Sequence, residues 1–485
     1  MTSPKEIAPR LAAVLVSLSL AAGPLGAAAP LATSARRGNT YVLSLEQAEA
    51  KALESSEVLA AAEAEAQAAG AQSRSAGAVQ LPKISFDASA RYQAVVPEIQ
   101  VGPAGRMPLG DNQSYSYGPT AQWLLFDTGG TYRRWRAAQA VARSKRAEAD
   151  AVRRTLILDT RVAYLSVQRA VEEQRLITDA VRLSSTQYQD ITSRQKAGAG
   201  SRLDSLSSHQ ELLARERQLL NAQADLAVSL RRLFRLTRTG ANLNADLPTG
   251  DKAAESWPAE WRPPTLVVQL DAIAATRARL DLPPAARFDA ANPSIIAIAE
   301  RANAALETAS AAAAGHGPSV SVMGRISRDY PNGPVLETIT QKTAGVTASL
   351  PLFEFGRVTE EVSAQKRLAA AASLRRDERI SIMTEEWLAD WDRLRGLSAQ
   401  EALLRQAASE TIELARITFD SYRNGGIGHV EVENANFRAL ETQVALAQTE
   451  VGIATLLAAI GSMAEPDDEL AFAVPDFSVN KETLR

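Results

Sequence analysis

Cysteine is absent from the 485 residues. That absence excludes a disulfide framework, a thiolate zinc site, a thiol nucleophile and an N-terminal lipid-carrying cysteine. Histidine occurs three times, and no carboxylate–histidine–hydroxyl set is readable around any of the three. Neither sign of charge dominates, because 53 Lys and Arg stand against 56 Asp and Glu, which argues against a basic nucleic-acid-binding protein. We therefore expect no enzyme, no metal or cofactor site and no nucleic-acid partner.

Aromatic residues are also scarce, at 5% of the chain, while hydrophobic residues reach 46%. Much of that hydrophobic share is alanine, which contributes little to a single large core. Alanine together with leucine, glutamate, glutamine and arginine is typical of long helices and coiled coils. The composition therefore predicts a mainly helical protein.

The first 29 residues have the three parts of a secretory signal. Lys5 and Arg10 give a basic start, the apolar run LAAVLVSLSL follows, and small residues suited to cleavage come next. The run meets Gly23 and Pro24 before it reaches the ~20 residues that a spanning helix needs. We interpret 1–29 as a signal peptide, with a transmembrane anchor as the alternative, and expect an exported mature chain.

The chain contains an internal duplication. LPKISFDASARY at 81–92 aligns with GPSVSVMGRISRDY at 317–330, which pairs Pro82 with Pro318 at a shift of 236. Two further pairs of segments share a shift of 227: QWLLFDTGG at 122–130 with SLPLFEFGR at 349–357, and KAGAGSRLD at 196–204 with RNGGIGHVE at 423–431. The sequence therefore predicts the same order of elements in each half: helix, strand, loop, strand, long helix, break and helix. We place the first repeat at 41–239 and the second at 291–463.

Both repeats predict long helices. No proline interrupts 130–196 or 357–423, and 67 residues of helix span ~100 Å. Return helices are expected at 203–238 and 430–462, because apolar residues recur every seven positions, as in a coiled coil: Leu212, Leu219, Leu226 and Leu233 in the first. An opening helix is expected at 44–78. The segment 240–290, which is rich in proline, joins the repeats, and an acidic tail follows at 464–485.

Two pairs of strands alternate apolar and polar residues over the length of a tilted transmembrane strand; they are expected at 83–95, 114–126, 318–330 and 340–353. Tyr115, Tyr117 and Trp123 lie where membrane-interface aromatics would sit. The alternative is a half-buried sheet in a soluble domain. Open sheet edges are not tolerated in lipid, so a membrane sheet requires two, three or four copies, giving 8, 12 or 16 strands.

These motifs resemble the TolC-like outer-membrane efflux protein family over about residues 41–463. The most specific pieces are QWLLFDTGG, LPLFEFGR and the glycine-containing turns at 198–204 and 425–431. The resemblance implies a mixed, mainly α fold with four transmembrane β-strands per chain and long coiled-coil helices. Three copies would form a 12-stranded β-barrel in the outer membrane that continues into a periplasmic α-helical barrel, with the segment 240–290 around its middle.

The resemblance also implies a function. The family supplies the exit duct of tripartite efflux or type I secretion systems and conducts substrates passively. Its partners are a periplasmic adaptor protein and an inner-membrane transporter, which provides the energy. The alternative is an exported soluble coiled-coil scaffold or adaptor, which would need no lipid-facing strands.

The family's periplasmic gate corresponds to Asp204, Tyr422 and Glu431. Three copies would place six carboxylates around one axis, which favours cations. The alternative is that these acids only stabilise helix N-termini. Ile427 and Asn434 depart from residues that some members use at the gate.

The same turns correspond to the surface that the family presents to the adaptor. Glycine allows a tight reversal of the backbone, so these segments are at least helix-hairpin turns. By resemblance, the adaptor-contact residues are Gly198, Gly200, Ser201, Leu203, Gly425, Gly428 and Val430.

Overall fold

The computed structural model describes residues 40–100, 105–198, 200–238, 267–283 and 286–465. The expected signal peptide, the first part of the 240–290 segment and nearly all of the 464–485 tail lie outside the described residues.

The first repeat contains, in chain order, β1 (Thr40–Leu43), α1 (Leu45–Ser55), α2 (Glu57–Ala78), β2 (Lys83–Tyr92), β3 (Glu98–Gln100), β4 (Arg106–Pro108), β5 (Gln113–Phe126), α3 (Gly130–Lys196) and α4 (Arg202–Thr237). The rest of the described chain contains β6 (Val267–Leu270), α5 (Ile273–Leu280), α6 (Pro293–Ala313), a 3-10 turn (Ala314–His316), β7 (Ser319–Tyr330), β8 (Ile339–Ser349), α7 (Arg357–Arg423) and α8 (His429–Met463). The long helices α3 and α7 thus span the 67 residues each that the sequence predicts.

The duplication is visible in the backbone as well as in the sequence. Left-handed residues recur at the spacing of 227, with φ of 55° and 52° at Thr128 and Phe355, 83° at both Gly129 and Gly356, and 78° and 76° at Gly198 and Gly425. The first two pairs turn the chain from a strand into a long helix, and the third ends that helix. The repeats therefore share their junctions as well as their helices.

Three expected boundaries need correction. The opening helix is divided at Ser56, whose extended backbone ends α1 and whose hydroxyl accepts from the amide of Leu59 at 3.2 Å. Strand β2 ends at Tyr92, not at 95, because the side-chain amide of Asn112 donates to the carbonyl of Gln93 at 2.9 Å and turns the chain out of the ladder. Strand β8 ends at Ser349, not at 353, since Pro351 has no N–H for the ladder.

Four strands form one antiparallel sheet in the order β2-β5-β7-β8. The register aligns Ile84 with Ala121, and it aligns Val322 with both Trp123 and Val346. Because strand side chains alternate, this register collects most of the apolar positions on one face and most of the polar ones on the other, although Arg328 and Lys342 lie on the mainly apolar face. The outer edges of β2 and β8 have no partner strand among the described residues.

Polar side chains on the second face bind one another. Ser116 donates to Oδ1 of Asp329 at 2.6 Å and accepts from Arg325 at 2.8 Å, and Ser327 donates to Oδ2 of Asp329 at 3.0 Å. A sheet with one exposed apolar face and one polar face is the arrangement of a membrane barrel wall.

The short helices line up along the long ones. α3 packs against α2 and α6 near the sheet and against α4 and α8 farther away, while α7 packs against α6 and α8. The largest core cluster lies where these sets meet and contains Leu43, Tyr164, Leu233 and Ile453, all nearly inaccessible. The Tyr164 hydroxyl donates to the carbonyl of Leu43 and accepts from the amide of Asp271, both at 2.9 Å. Parallel pairing of β1 with β6 joins the inter-repeat segment to this core.

Among the described helices, α8 is the one long and apolar enough to cross a membrane, by length and composition. It packs along α7, α3 and α4, and Ala454, Ala458 and Ile460 on it are buried. We therefore interpret α8 as a core helix of the bundle.

Candidate functional site

Two turns reverse the chain at the ends of α3 and α7, and we call their described residues, 197–198, 200–202 and 424–429, the tip. Each long helix is followed by a left-handed glycine, Gly198 or Gly425, which suits glycine because it has no Cβ. Ser201 then caps α4 by accepting from the amide of Leu203 at 3.1 Å. Gly428 is the N-cap of α8, with extended backbone and no side-chain cap.

Two of the other tip glycines, Gly200 and Gly428, differ in the space around them. A Cβ on Gly200 would lie 3.0 Å from the backbone nitrogen of Gln195, so any side chain there would displace the end of α3. A Cβ on Gly428 would meet only the carboxylate end of Glu431, at 2.9 Å, which can rotate away. A side chain at Gly200 would therefore be crowded by the backbone of α3, whereas Gly428 leaves a surface that a larger residue could cover.

Both hairpins carry an exposed apolar side chain immediately after the turn. Leu203 on α4 is 72% exposed and Val430 on α8 is 59% exposed. The two positions are related by the spacing of 227, so the repeats present the same feature. Exposed apolar residues beside small ones are suited to contact with another protein.

A hydrogen bond ties the two hairpins together. The Tyr422 hydroxyl on α7 donates to Oδ2 of Asp204 on α4 at 3.2 Å, a contact that we call the latch. Nearby, Nη1 of Arg194 on α3 donates to the carbonyl of Arg423 at 2.9 Å. Burial, and next the charge of Asp204, raise the pKa of Tyr422, so its hydroxyl stays protonated and able to donate.

The structure thus brings together two of the three expected gate residues. Glu431 is exposed and its carboxylate folds back over Gly428, at the start of its own helix. A carboxylate there is stabilised by the helix dipole. Within one chain, Glu431 therefore has the geometry of the dipole-stabilised acid that the sequence left as an alternative.

Sequence reasoning did not single out His429 and Glu433, which lie directly under the latch. His429 is 4% exposed, its ring lies 5.5 Å from that of Tyr422, and its Nε2 lies 3.3 Å from Oε1 of Glu433. Within the described residues neither ring nitrogen makes a hydrogen bond, and the contact with Glu433 becomes an ion pair when His429 is protonated. The spacing of four on one helix was the available signal, because it places both side chains on one face.

The expected interface aromatics lie at the two ends of β5. The Tyr115 ring stacks on Tyr330 at 5.0 Å and its hydroxyl lies 2.9 Å from Oγ1 of Thr338, with Tyr117 beside it. At the other end, Nε1 of Trp123 donates to the carbonyl of Gln80 at 2.9 Å. Eight residues of strand separate Tyr115 from Trp123, about 27 Å at 3.4 Å per residue. Because the strands of such a barrel tilt by about 35–45°, that separation is about 19–22 Å along the membrane normal, a little less than the apolar band of about 25 Å.

No metal-binding arrangement of side chains is evident elsewhere in the described parts of the chain. No group of three or more His, Asp or Glu side chains there is arranged to hold a metal ion. The tip and the sheet are therefore the features from which a function can be argued.

Comparisons with known proteins agree with this architecture. No curated protein matches the chain at a significant level. Among 23 matching chains of solved structures is the outer membrane protein VceC of Vibrio cholerae, at 20% identity and a TM-score of 0.68, covering 86% of this chain and 95% of that one. The CmeC outer membrane channel of Campylobacter jejuni matches at 16% identity and a TM-score of 0.69, covering 87% of each chain. The open state of the Neisseria gonorrhoeae MtrE outer membrane channel matches at 17% identity and a TM-score of 0.65, covering 86% of this chain and 88% of that one.

At these identities the structures establish the fold, which is mainly helical with a small β component. The family is established by sequence, because the model of the outer membrane efflux protein family matches residues 49–237 and 287–462. These ranges cover both repeats and leave out the segment between them. The chain therefore belongs to the outer membrane efflux protein family, and it is an outer-membrane efflux channel that extends into the periplasm.

Proposed function

We propose that three copies of this chain form one continuous duct across the outer membrane and the periplasm. The observation that carries the proposal is the four-stranded sheet, with an exposed, mainly apolar face and with edges at β2 and β8 that no other described strand pairs with. Pairing β8 of one copy with β2 of the next closes a barrel without edges, as lipid requires. Three copies, the number that the family resemblance favours, give 12 strands. The ~100 Å helices then extend the barrel away from the membrane.

The far end of this duct would meet an adaptor protein that connects it to an inner-membrane transporter. By the family resemblance, that transporter would supply the energy that drives the substrate. Leu203 and Val430 would supply apolar contact with the adaptor. Small residues at the turns would leave room for the adaptor to approach: Gly198, Gly200, Ser201, Gly425 and Gly428. A soluble scaffold is disfavoured, because a soluble protein rarely leaves so much apolar sheet exposed.

Assembly tests the duct directly. The full-length protein, expressed in a bacterium with two membranes, is expected in the outer-membrane fraction and as a trimer in mild detergent. Sedimentation or native mass spectrometry gives the number of copies. A monodisperse soluble monomer would overturn the proposal and favour the scaffold.

We further propose that Asp204, Tyr422 and Glu431 form the gate at the tip. Replacing Tyr422 by Phe removes one hydroxyl from the latch, a hydrogen bond to a charged group worth about 1.5–3 kcal/mol, and is expected to raise single-channel conductance in planar bilayers. Asp204→Asn with Glu431→Gln is expected to reduce cation preference, because it removes six carboxylates from the mouth of a trimer. Unchanged selectivity in the double variant would show that these acids do not line the mouth.

A further inference from the structure

Two basic side chains interrupt the mainly apolar face of the sheet. Arg328 on β7 and Lys342 on β8 lie on that face, because Arg328 pairs with Tyr117 and Lys342 pairs with Ile326. Both are exposed. Among the described strand residues no Asp or Glu lies on the same face, so the two cations give it an unopposed positive charge.

The two cations lie near each other, at one end of the sheet. Thr340 is directly opposite Arg328, and Lys342 is the next residue along β8 on the same face, so the two cations are diagonal neighbours. Diagonal neighbours of this kind are about 7–8 Å apart. Arg328 lies close to the end of β7 and Lys342 close to the start of β8, remote from the long helices. Because those helices extend into the periplasm, this end of the sheet belongs to the outer leaflet of the membrane.

Neither cation is neutralised by an acid within the described residues. The side chains of Arg328 and Lys342 form no ion pair and no hydrogen bond there. Two acids of the neighbouring outer loops are engaged elsewhere, since Asp111 accepts from the hydroxyl of Tyr330 at 2.8 Å and Glu337 accepts from a side-chain amide at 3.2 Å. A cation that faces lipid without a partner is costly, so its position indicates that the membrane supplies the anion.

Tyrosine side chains lie beside the two cations on the same face. Tyr117 is directly opposite Arg328, its ring stacks on Tyr115, and Tyr115 stacks on Tyr330. Tyrosine at a membrane interface places its ring against acyl chains and its hydroxyl at the headgroups. Within the described residues the hydroxyls of Tyr115 and Tyr330 already have partners, whereas that of Tyr117 has none and can donate to a bound group.

We propose that Arg328, Lys342 and Tyr117 bind the phosphate of a lipid headgroup in the outer leaflet, on the lipid-facing side of the barrel. The inference rests on the proposed barrel, which places this face in the membrane. Guanidinium and ammonium groups donate charge-assisted hydrogen bonds to phosphate oxygens, and basic sites on membrane proteins bind anionic headgroups in this way. Lys342 lies deeper than Arg328, and its long stem crosses the acyl chains while its charge reaches the headgroup. The phosphates of lipid A, the main lipid of the outer leaflet, are the source that we assign.

Native mass spectrometry of the full-length trimer with diphosphorylated lipid A tests the site. Arg328→Gln combined with Lys342→Gln is expected to weaken binding about tenfold or more, because two charge-assisted contacts are lost from each chain. Lys83→Gln combined with Arg91→Gln is the matched control, since it removes the same charge from the polar face of β2 and is expected to bind like the wild type. Arg328→Lys keeps the charge and is expected to retain most of the binding.

Trimers of the double variant that bind diphosphorylated lipid A as tightly as the wild type would overturn the inference and leave the duct intact. So would equal loss in the control with Lys83 and Arg91 replaced, or equal binding of lipid A without phosphates by the wild type. Phosphatidylglycerol bound as tightly as lipid A would overturn the assignment to the outer leaflet. If the double variant forms no trimers, Arg328→Gln and Lys342→Gln are measured singly, and each is expected to weaken binding. A wild-type protein that forms no trimers would instead overturn the proposed function.

Discussion

A lysine at Val346 is expected to reduce the amount of protein that accumulates as a trimer in the outer membrane. Val346 lies in the interior of β8, is 71% exposed in the isolated chain and belongs to the apolar face. A lysine facing lipid costs about 2–4 kcal/mol at the bilayer midplane and about 0–1 kcal/mol near the interface. Val346 is in register with Trp123 through Val322, so it lies toward the interface, and a trimer carries three such lysines. The amount of trimer in outer-membrane fractions, read on semi-native gels, measures the effect.

Lysine at Thr347 is the matched control, because the neighbouring residue on the same strand points to the opposite face. Thr347 pairs with Ser321, on the polar face that would line the water-filled lumen. Thr347→Lys is therefore expected to assemble like the wild type. Equal loss in both variants would show that the two faces are not distinguished by lipid, and equal tolerance would show that β8 is not in a membrane.

The sequence predicts the long helices well because their limits are set locally. Gly130 and Arg357 follow left-handed residues, and Gly198 and Gly425 provide the reversals, so local backbone requirements fix where each helix begins and ends. Apolar alternation likewise predicts the faces of the strands, because a period of two leaves few choices of face.

Smaller features of the fold are not predicted because the sequence carries weak local signals for them or none. The division at Ser56 depends on a cap that competes weakly with continuing the helix. The short hairpin of β3 and β4 lies in the loop between β2 and β5, which is longer than the corresponding loop between β7 and β8 in the second repeat. The pairing of β1 with β6 joins positions more than two hundred residues apart and has no local signal.

The gate is predicted only in part for the same reason. Tyr422 and Asp204 are 218 residues apart, so their contact comes from the fold and was anticipated by family resemblance alone. The burial of His429 depends on how four helix ends meet. A lone histidine in the sequence carries no sign of that environment, which is why its place under the latch appears only in the structure.

Tryptophan at Gly428 is expected to abolish export without preventing assembly, if the tip is where the adaptor docks. The backbone of Gly428 is extended, with φ of −82°, and a side chain there would displace only the flexible Glu431 carboxylate. The turn should therefore fold, while the added bulk would hold an adaptor away from Val430 and Leu203. Loss of 1.4 kcal/mol of contact already lowers affinity about tenfold, and three copies multiply the effect.

Substrate accumulation in cells and adaptor binding by the purified channel measure the result, with trimer content determined in the same samples. Gly396→Trp is the matched control, because Gly396 is also exposed, lies far from the tip on α7 and has open space around it. Gly200→Trp would be a poorer test, since its side chain would collide with the backbone of Gln195 and alter the turn itself. Normal export and adaptor binding in Gly428→Trp would place the docking surface away from the tip, and loss of trimers would reassign Gly428 to the fold.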